Sequence, residues 1–269
     1  PYMGVWAAGT EITRNGKSPN FVFRVSANDD YVDKFLVRYA TDTLKKSKPG
    51  LLLENTAWGQ SNEAGLNKYL GPKNIKPVGT EKFNWNDPDM SPQLLRLKNA
   101  GADHVILVGN APEAAQVVKS RAKIGWEIPM VSHWGVSGGR FAELTGDLSD
   151  GVVFFQTYSF FGKQNERGQD LLKALKDKYG VKGPEEIIAP VGVANAYDGL
   201  HLVAVAIEQA GATDGVKLRD ALENLKAEHK GLIKTYKRPF TPDQHDALTD
   251  EDYVLVVWKG GQIVPVAMK

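Results

Sequence analysis

Three places in this 269-residue chain combine side chains suited to holding a small molecule with short apolar runs suited to presenting them. Trp58 follows the run 51–55, Asn110 follows 104–108, and His133-Trp134 follow 128–132. An indole offers a flat apolar surface and one N–H. A carboxamide both donates and accepts hydrogen bonds, and an imidazole does either. Gly59 and Gly109 stand beside two of these residues, where backbone must come close to whatever is bound. Such a set binds rather than transforms. Ser137, in Gly135-Val136-Ser137-Gly138-Gly139, matches the G-x-S-x-G pattern of a serine nucleophile, but it lies five residues beyond the expected strand end. A nucleophile elbow needs its serine at the strand-to-helix turn itself. Histidines 104, 133, 201, 229 and 245 show no metal-ligand spacing, no phosphate-cradling glycine loop is present, and cysteine is absent. The expectation is a chain with no catalytic residue, metal or cofactor.

The elements that must position these residues alternate. Extended runs are expected at 20–25, 51–55, 76–83, 104–108, 128–132 and 151–156, with helical periodicity at 30–46, 59–70, 91–100, 112–124 and 138–144. Val105-Ile106-Leu107-Val108 is apolar at every position, as a strand covered on both faces requires. Repeated β-α units of this spacing predict parallel sheets flanked by helices, an α/β fold. In such sheets ligands collect beyond the carboxyl ends of the strands, where Trp58, Asn110 and His133-Trp134 fall. Asp89 and Pro92 mark a helix start and Gly101 its end. The second half changes character. Helices are expected at 165–179, 191–210 and 218–227, then strands at 231–236, 253–258 and 262–267, the last two joined through Lys259-Gly260-Gly261.

Lys and Arg total 33 against 32 Asp and Glu, a balance that offers no field to recruit nucleic acid or an anionic membrane. No apolar run is read as long enough to cross a bilayer, and residues 1–6 show no basic stretch followed by an apolar one.

Several segments together resemble the type I periplasmic binding proteins, in particular the receptors of branched-chain amino-acid ABC transporters. The carriers are Asn20-Phe21-Val22-Phe23-Arg24-Val25, Thr56-Ala57-Trp58-Gly59-Gln60, the stretch 94–103, Gly109-Asn110-Ala111-Pro112-Glu113-Ala114 and Ala194-Asn195-Ala196-Tyr197-Asp198-Gly199-Leu200. The resemblance implies a periplasmic, two-lobed receptor that closes on a small-molecule ligand in an interlobe cleft and docks on a membrane permease, without chemistry or membrane insertion. It implies a first lobe of 1–25 and 157–232 and a second of 26–156 and 233–269, with crossings near 24–27, 155–158 and 232–236. Several β-α units of the family precede the segment matching Pro1, so the first lobe is expected to be incomplete at its N-terminus. By position, first-lobe ligand contacts fall on Ala7, Ala8, Gly9 and Thr10, whose amides and hydroxyl suit a carboxylate. Second-lobe contacts fall on Trp58, Asn110 and Trp134. Amino-acid receptors carry an acidic residue where Trp134 stands. A slot of Trp58, Trp134, His133 and Trp6 therefore leads us to expect an aromatic or other apolar acid, with an amino acid as the alternative. A sensor of the same fold and a hydrolase using Ser137 are the competing readings.

Overall fold

The computed structural model describes residues 1–266. Along the chain run β1 (Tyr2–Gly4), β2 (Val22–Arg24), α1 (Asp29–Arg38), β3 (Pro49–Glu54), α2 (Ala57–Leu70), β4 (Gly79–Phe83), α3 (Ser91–Asn99), β5 (His104–Val108), α4 (Ala111–Lys123), β6 (Met130–Ser132), α5 (Phe141–Thr145) and β7 (Val152–Gln156). There follow α6 (Glu166–Tyr179), α7 (Pro190–Ala210), α8 (Gly215–Glu223), β8 (His229–Lys230), β9 (Thr235–Tyr236), β10 (Val254–Lys259) and β11 (Gln262–Pro265). The α/β alternation expected from the sequence is present. The expected strand 262–267 ends at Pro265, and its residue 267 lies outside the described residues.

The chain divides into two units. Unit 1 is Pro1–Asn28, Thr157–Lys182 and Pro190–Tyr253; unit 2 is Asp29–Gln156, Gly183–Ala189 and Val254–Lys269. The last passage between the units therefore falls at Tyr253/Val254, not at 232–236; residues 233–253, expected in the second lobe, lie in unit 1, and Gly183–Ala189, expected in the first, lie in unit 2. Two side-chain clusters account for this. Buried Asp198 accepts from the amides of Leu232 (2.5 Å) and Ile233 (2.9 Å) and from the Tyr236 hydroxyl (2.8 Å). Asp246 is bound to Arg24. Only at Val254 does the chain enter the unit 2 sheet, opposite Gln156. The Asp198 bonds also explain why 231–236 is not one strand. Two amides that a ladder would need are taken by a carboxylate, leaving the two-residue antiparallel pair β8–β9.

Unit 2 is built on a seven-stranded sheet of order β11-β10-β7-β6-β5-β3-β4, parallel from β7 to β4, with β10 and β11 antiparallel at one edge. Gly260 and Gly261, both at positive φ, make the two-residue turn between β10 and β11. Strand alternation assigns the faces. Phe155 meets Phe35 of α1, whereas its neighbour Phe154 stacks on Trp258, which in turn meets Phe141 of α5. α2 packs on α1, and α4 packs on α3 and α5, so the helices leaving β3 and β5 cover opposite faces. β3 runs on to β4 at one side, and the chain then returns to β5 on the other side of β3. The point where the strand order reverses lies between the carboxyl ends of β3 and β5.

Unit 1 has the parallel pair β1–β2 as its sheet, with α6, α7, α8 and the β8–β9 ribbon. α7 corrects one expectation. At 21 residues it is long and apolar enough to cross a membrane by length and composition. In the fold it is a core helix, with Val191, Ala194, Leu202 and Ala206 buried beside Asn195 and Asp198. Asn195 bonds the carbonyl of Val5 and accepts from Thr157.

Candidate functional site

The reversal point in unit 2 is lined by residues from three strand ends. Glu54, the last residue of β3, is buried; one carboxylate oxygen accepts from Asn110 Nδ2 at 3.2 Å and the other from Thr56 Oγ1 at 3.3 Å. Asn110 is the exposed N-cap of α4, and Thr56 is the N-cap of α2, its hydroxyl accepting from the Gly59 amide. The free N–H groups of two helix N-termini thus frame the Glu54–Asn110 bond. Gly59 is demanded by geometry, since a Cβ there would stand 1.8 Å from the Glu54 carbonyl oxygen. At the next turn a Cβ on Gly135 would stand 2.0 Å from the Gly109 carbonyl. Backbone is drawn in tightly around this edge. Beyond β4, Asn84 accepts from Asn55 at 3.0 Å, and Trp85 is 64% exposed.

Trp58 lies in the first turn of α2, half-buried, with Nε1 bonded to Asp29 Oδ1 at 3.2 Å and its ring edge-on to His133. His133 is wholly buried. Its Nε2 donates to the same Asp29 oxygen at 3.0 Å, and its Nδ1 accepts from the Trp134 amide at 2.9 Å, which fixes the tautomer. Burial pushes the imidazole pKa down against the pull of Asp29, so the ring is neutral. Trp134 is 3% exposed and lies stacked on Phe155 with centroids 5.7 Å apart. The slot expected of Trp58, His133 and Trp134 is therefore a cluster in which only Trp58 and the neighbouring Asn110 reach solvent. His133 and Trp134 lie behind them, packed on β7. Ser137 is also buried, and its hydroxyl has no hydrogen-bond partner among the described residues.

Ala7, Ala8, Gly9 and Thr10 form the loop after β1 in unit 1. Arg24, fully buried at the end of β2, holds that loop by donating from Nη1 to the carbonyls of Ala7 (3.1 Å) and Gly9 (2.9 Å). Its Nε bonds Asp246 at 2.7 Å and its Nη2 bonds Thr13 Oγ1 at 2.9 Å. Asp246 also accepts from Asn28 Nδ2 and Thr13 Oγ1, and Thr10 Oγ1 donates to Asn28 at 3.1 Å. The Ala7 and Gly9 carbonyls are thus held by a guanidinium, which leaves backbone amides as the groups this loop can present to a ligand. Trp6 is 42% exposed and packs over Gly192, where a Cβ would come within 2.8 Å of its ring.

Glu54 and the Arg24–Asp246 pair were not singled out from sequence, where Asp29, with Asp30, reads as a helix-start acid. Of these, Asp29 had a visible signal, as one of two acids opening an amphipathic helix, but capping alone accounts for that pattern.

A parallel sheet with a polar and aromatic edge at its reversal point, joined to a second α/β unit, defines a binding protein of the periplasmic class. The periplasmic binding protein family model matches residues 1–262, and the chain belongs to that family. It is 26% identical over 239 residues to a Leu/Ile/Val-binding protein homolog 1 of Brucella abortus, covering 89% of this chain and 61% of the relative. The chain thus spans about three fifths of the length of such curated relatives. Among solved structures, a periplasmic binding protein type 1 from Bordetella pertussis superposes with a TM-score of 0.86 at 24% identity, over all of this chain and 74% of the other. An R. palustris ABC-transporter solute-binding protein in complex with benzoate gives 0.78 at 19% identity, over 99% of this chain and 70% of the other. These likenesses establish the type I periplasmic binding protein fold.

Proposed function

We propose that this chain is the solute-binding receptor of an ABC uptake transporter, acting outside the cytoplasm, and that its solute is a small organic carboxylate with an apolar body. The observation that carries the reading is the edge of unit 2 at the β3/β5 reversal point, where Trp58 and Asn110 stand together over the ends of two helices. In unit 1, the Arg24-held loop Ala7–Thr10 carries backbone amides of a kind suited to a carboxylate. The B. abortus relative is named for leucine, isoleucine and valine, and the R. palustris structure holds benzoate; all four are carboxylates with apolar bodies. Binding without chemistry suits a site where the one serine in a nucleophile-like pattern is buried and has no hydrogen-bond partner among the described residues. The receptor delivers its solute to a membrane permease.

Titration calorimetry against a panel of amino acids, aromatic acids and short aliphatic acids tests this. At least one carboxylate should bind with a Kd in the micromolar range or below, a free energy of about 8 kcal/mol. Trp58→Ala should weaken it by about 1–3 kcal/mol, through loss of the indole surface. A panel with no binder, or full affinity in Trp58→Ala, overturns the proposal.

A further inference from the structure

The edge of unit 2 that carries Trp58 and Asn110 continues one strand further, to β4. β4 runs parallel to β3 with Phe83 opposite Glu54, so the residues leaving the two strands stay in step. Asn55 donates from Nδ2 to Asn84 Oδ1 at 3.0 Å, and both side chains are exposed. Two carboxamides joined by one such bond keep a free acceptor and a free donor side by side, here Asn55 Oδ1 and Asn84 Nδ2. Trp85 stands on the turn that follows. The Asn84 amide donates to Asp87 Oδ2 at 2.8 Å and the Asp87 amide to the Asn84 carbonyl at 3.2 Å, closing the turn around Trp85 and Asn86. Asn86 is left-handed, with φ 66°, and its amide donates to Glu113 Oε1 at 3.1 Å. Glu113 is buried in the first turn of α4, the helix that Asn110 caps.

The turn is therefore tied to the same helix start as the solute edge, and it holds its indole out at 64% exposure. A large apolar ring on a fixed turn loses little freedom when a ligand lies on it, so its contact area is converted efficiently into affinity. Trp134 and His133 are packed away behind the edge, and Trp85 offers it the open aromatic surface that those two do not. Neighbouring strands lie about 4.8 Å apart, which puts the end of β4 about 10 Å from the end of β5, where Asn110 stands. We infer that the Asn55–Asn84 pair and Trp85 form a second contact for the solute, and that this contact takes an amide group at the end of the solute remote from Asn110. The amide N–H donates to Asn55 Oδ1, its carbonyl accepts from Asn84 Nδ2, and its plane lies on the indole. An alkyl end satisfies neither group. A second carboxylate has no N–H for Asn55 and brings its charge toward Asp87, which is bonded to the Asn84 amide. The inference rests on the carboxylate-receptor reading above and extends it from the acid and apolar body of the solute to its far end.

The test uses pairs of acids matched in shape that differ only in whether the far end is an amide: 6-amino-6-oxohexanoate against 6-methylheptanoate, and 8-amino-8-oxooctanoate against 8-methylnonanoate. Calorimetry on the unmodified protein should show about tenfold tighter binding of the amide member of at least one pair, as two hydrogen bonds of ordinary net strength supply. Asn84→Ala should erase that preference and leave the alkyl member unchanged. Trp85→Ala should weaken the amide member more than the alkyl one. Alkyl members that bind as tightly as their amide partners overturn the inference and leave the receptor reading standing. A preference that survives Asn84→Ala, or equal weakening of both members by Trp85→Ala, also overturns it. If none of the four acids binds, the inference fails, and the wider acid panel separately decides the receptor reading. Should either variant fail to fold, the pairwise comparison on the unmodified protein remains decisive.

Discussion

Replacing Arg24 by Met probes the support of the Ala7–Thr10 loop most directly. The Arg24 and Asp246 side chains are both wholly buried, and the guanidinium donates to the Ala7 and Gly9 carbonyls of the loop. Met fills much of the same volume but takes the guanidinium from Asp246, which keeps Asn28, Thr13 and the more distant Arg14. Removing one partner of a buried ion pair costs about 3–5 kcal/mol. The half-buried Ala7 and Gly9 carbonyls can turn to water and add little. With an unfolding entropy of about 2.1 cal/mol/K per residue over 269 residues, this cost corresponds to a Tm lower by about 5–9 °C if the chain melts as a whole. Differential scanning calorimetry and urea unfolding measure it, and ligand titration reads the loop. Arg24→Met together with Asp246→Asn should recover part of the stability, because no unpaired charge is left, but should not recover ligand affinity, because the Ala7 and Gly9 carbonyls remain without the guanidinium. A single variant that loses less than about 1 kcal/mol, or a double variant no better than the single, refutes the reasoning.

Two further outcomes follow from the α1–α2 contact. Gly65→Ala would place a Cβ 1.9 Å from Asp33 Oδ2 and should cost about 1–3 kcal/mol in urea unfolding, a loss that Asp33→Ala in the same chain should largely relieve. Asp33 itself binds a proton in the folded state that the unfolded chain, with a carboxyl pKa of about 3.9, releases earlier, so it lowers stability as pH rises above that value toward its raised folded pKa. Asp33→Asn should therefore gain on the unmodified protein as pH rises from 4 to 7.5; a difference constant across that range counts against a buried Asp33 with a pKa raised by that burial.

The local features of this protein were written in its sequence. The unbroken apolar run of β5, the glycine turn between β10 and β11, and the helix starts after β3 and β5 depend on residues a few positions apart, and periodicity and turn chemistry report them. That was enough to place Trp58 and Asn110 at strand ends and to carry the family resemblance. Tertiary structure decided the rest. Arg24 finds Asp246 across 222 positions, Asp29 finds His133 across 104, and Glu54 finds Asn110 across 56. Nothing local marks such pairs, because a buried charge and a solvated one look the same in a sequence until the fold encloses one of them. The same limit hid the fate of His133 and Trp134. Their place after β6 was legible, but whether an indole at a strand end faces solute or packs on Phe155 depends on the strand beside it. The sequence alone determined an α/β fold with polar and aromatic residues near its strand ends; tertiary packing decided that Asp29 is enclosed with Trp58 and His133, because only the fold takes a carboxylate out of water.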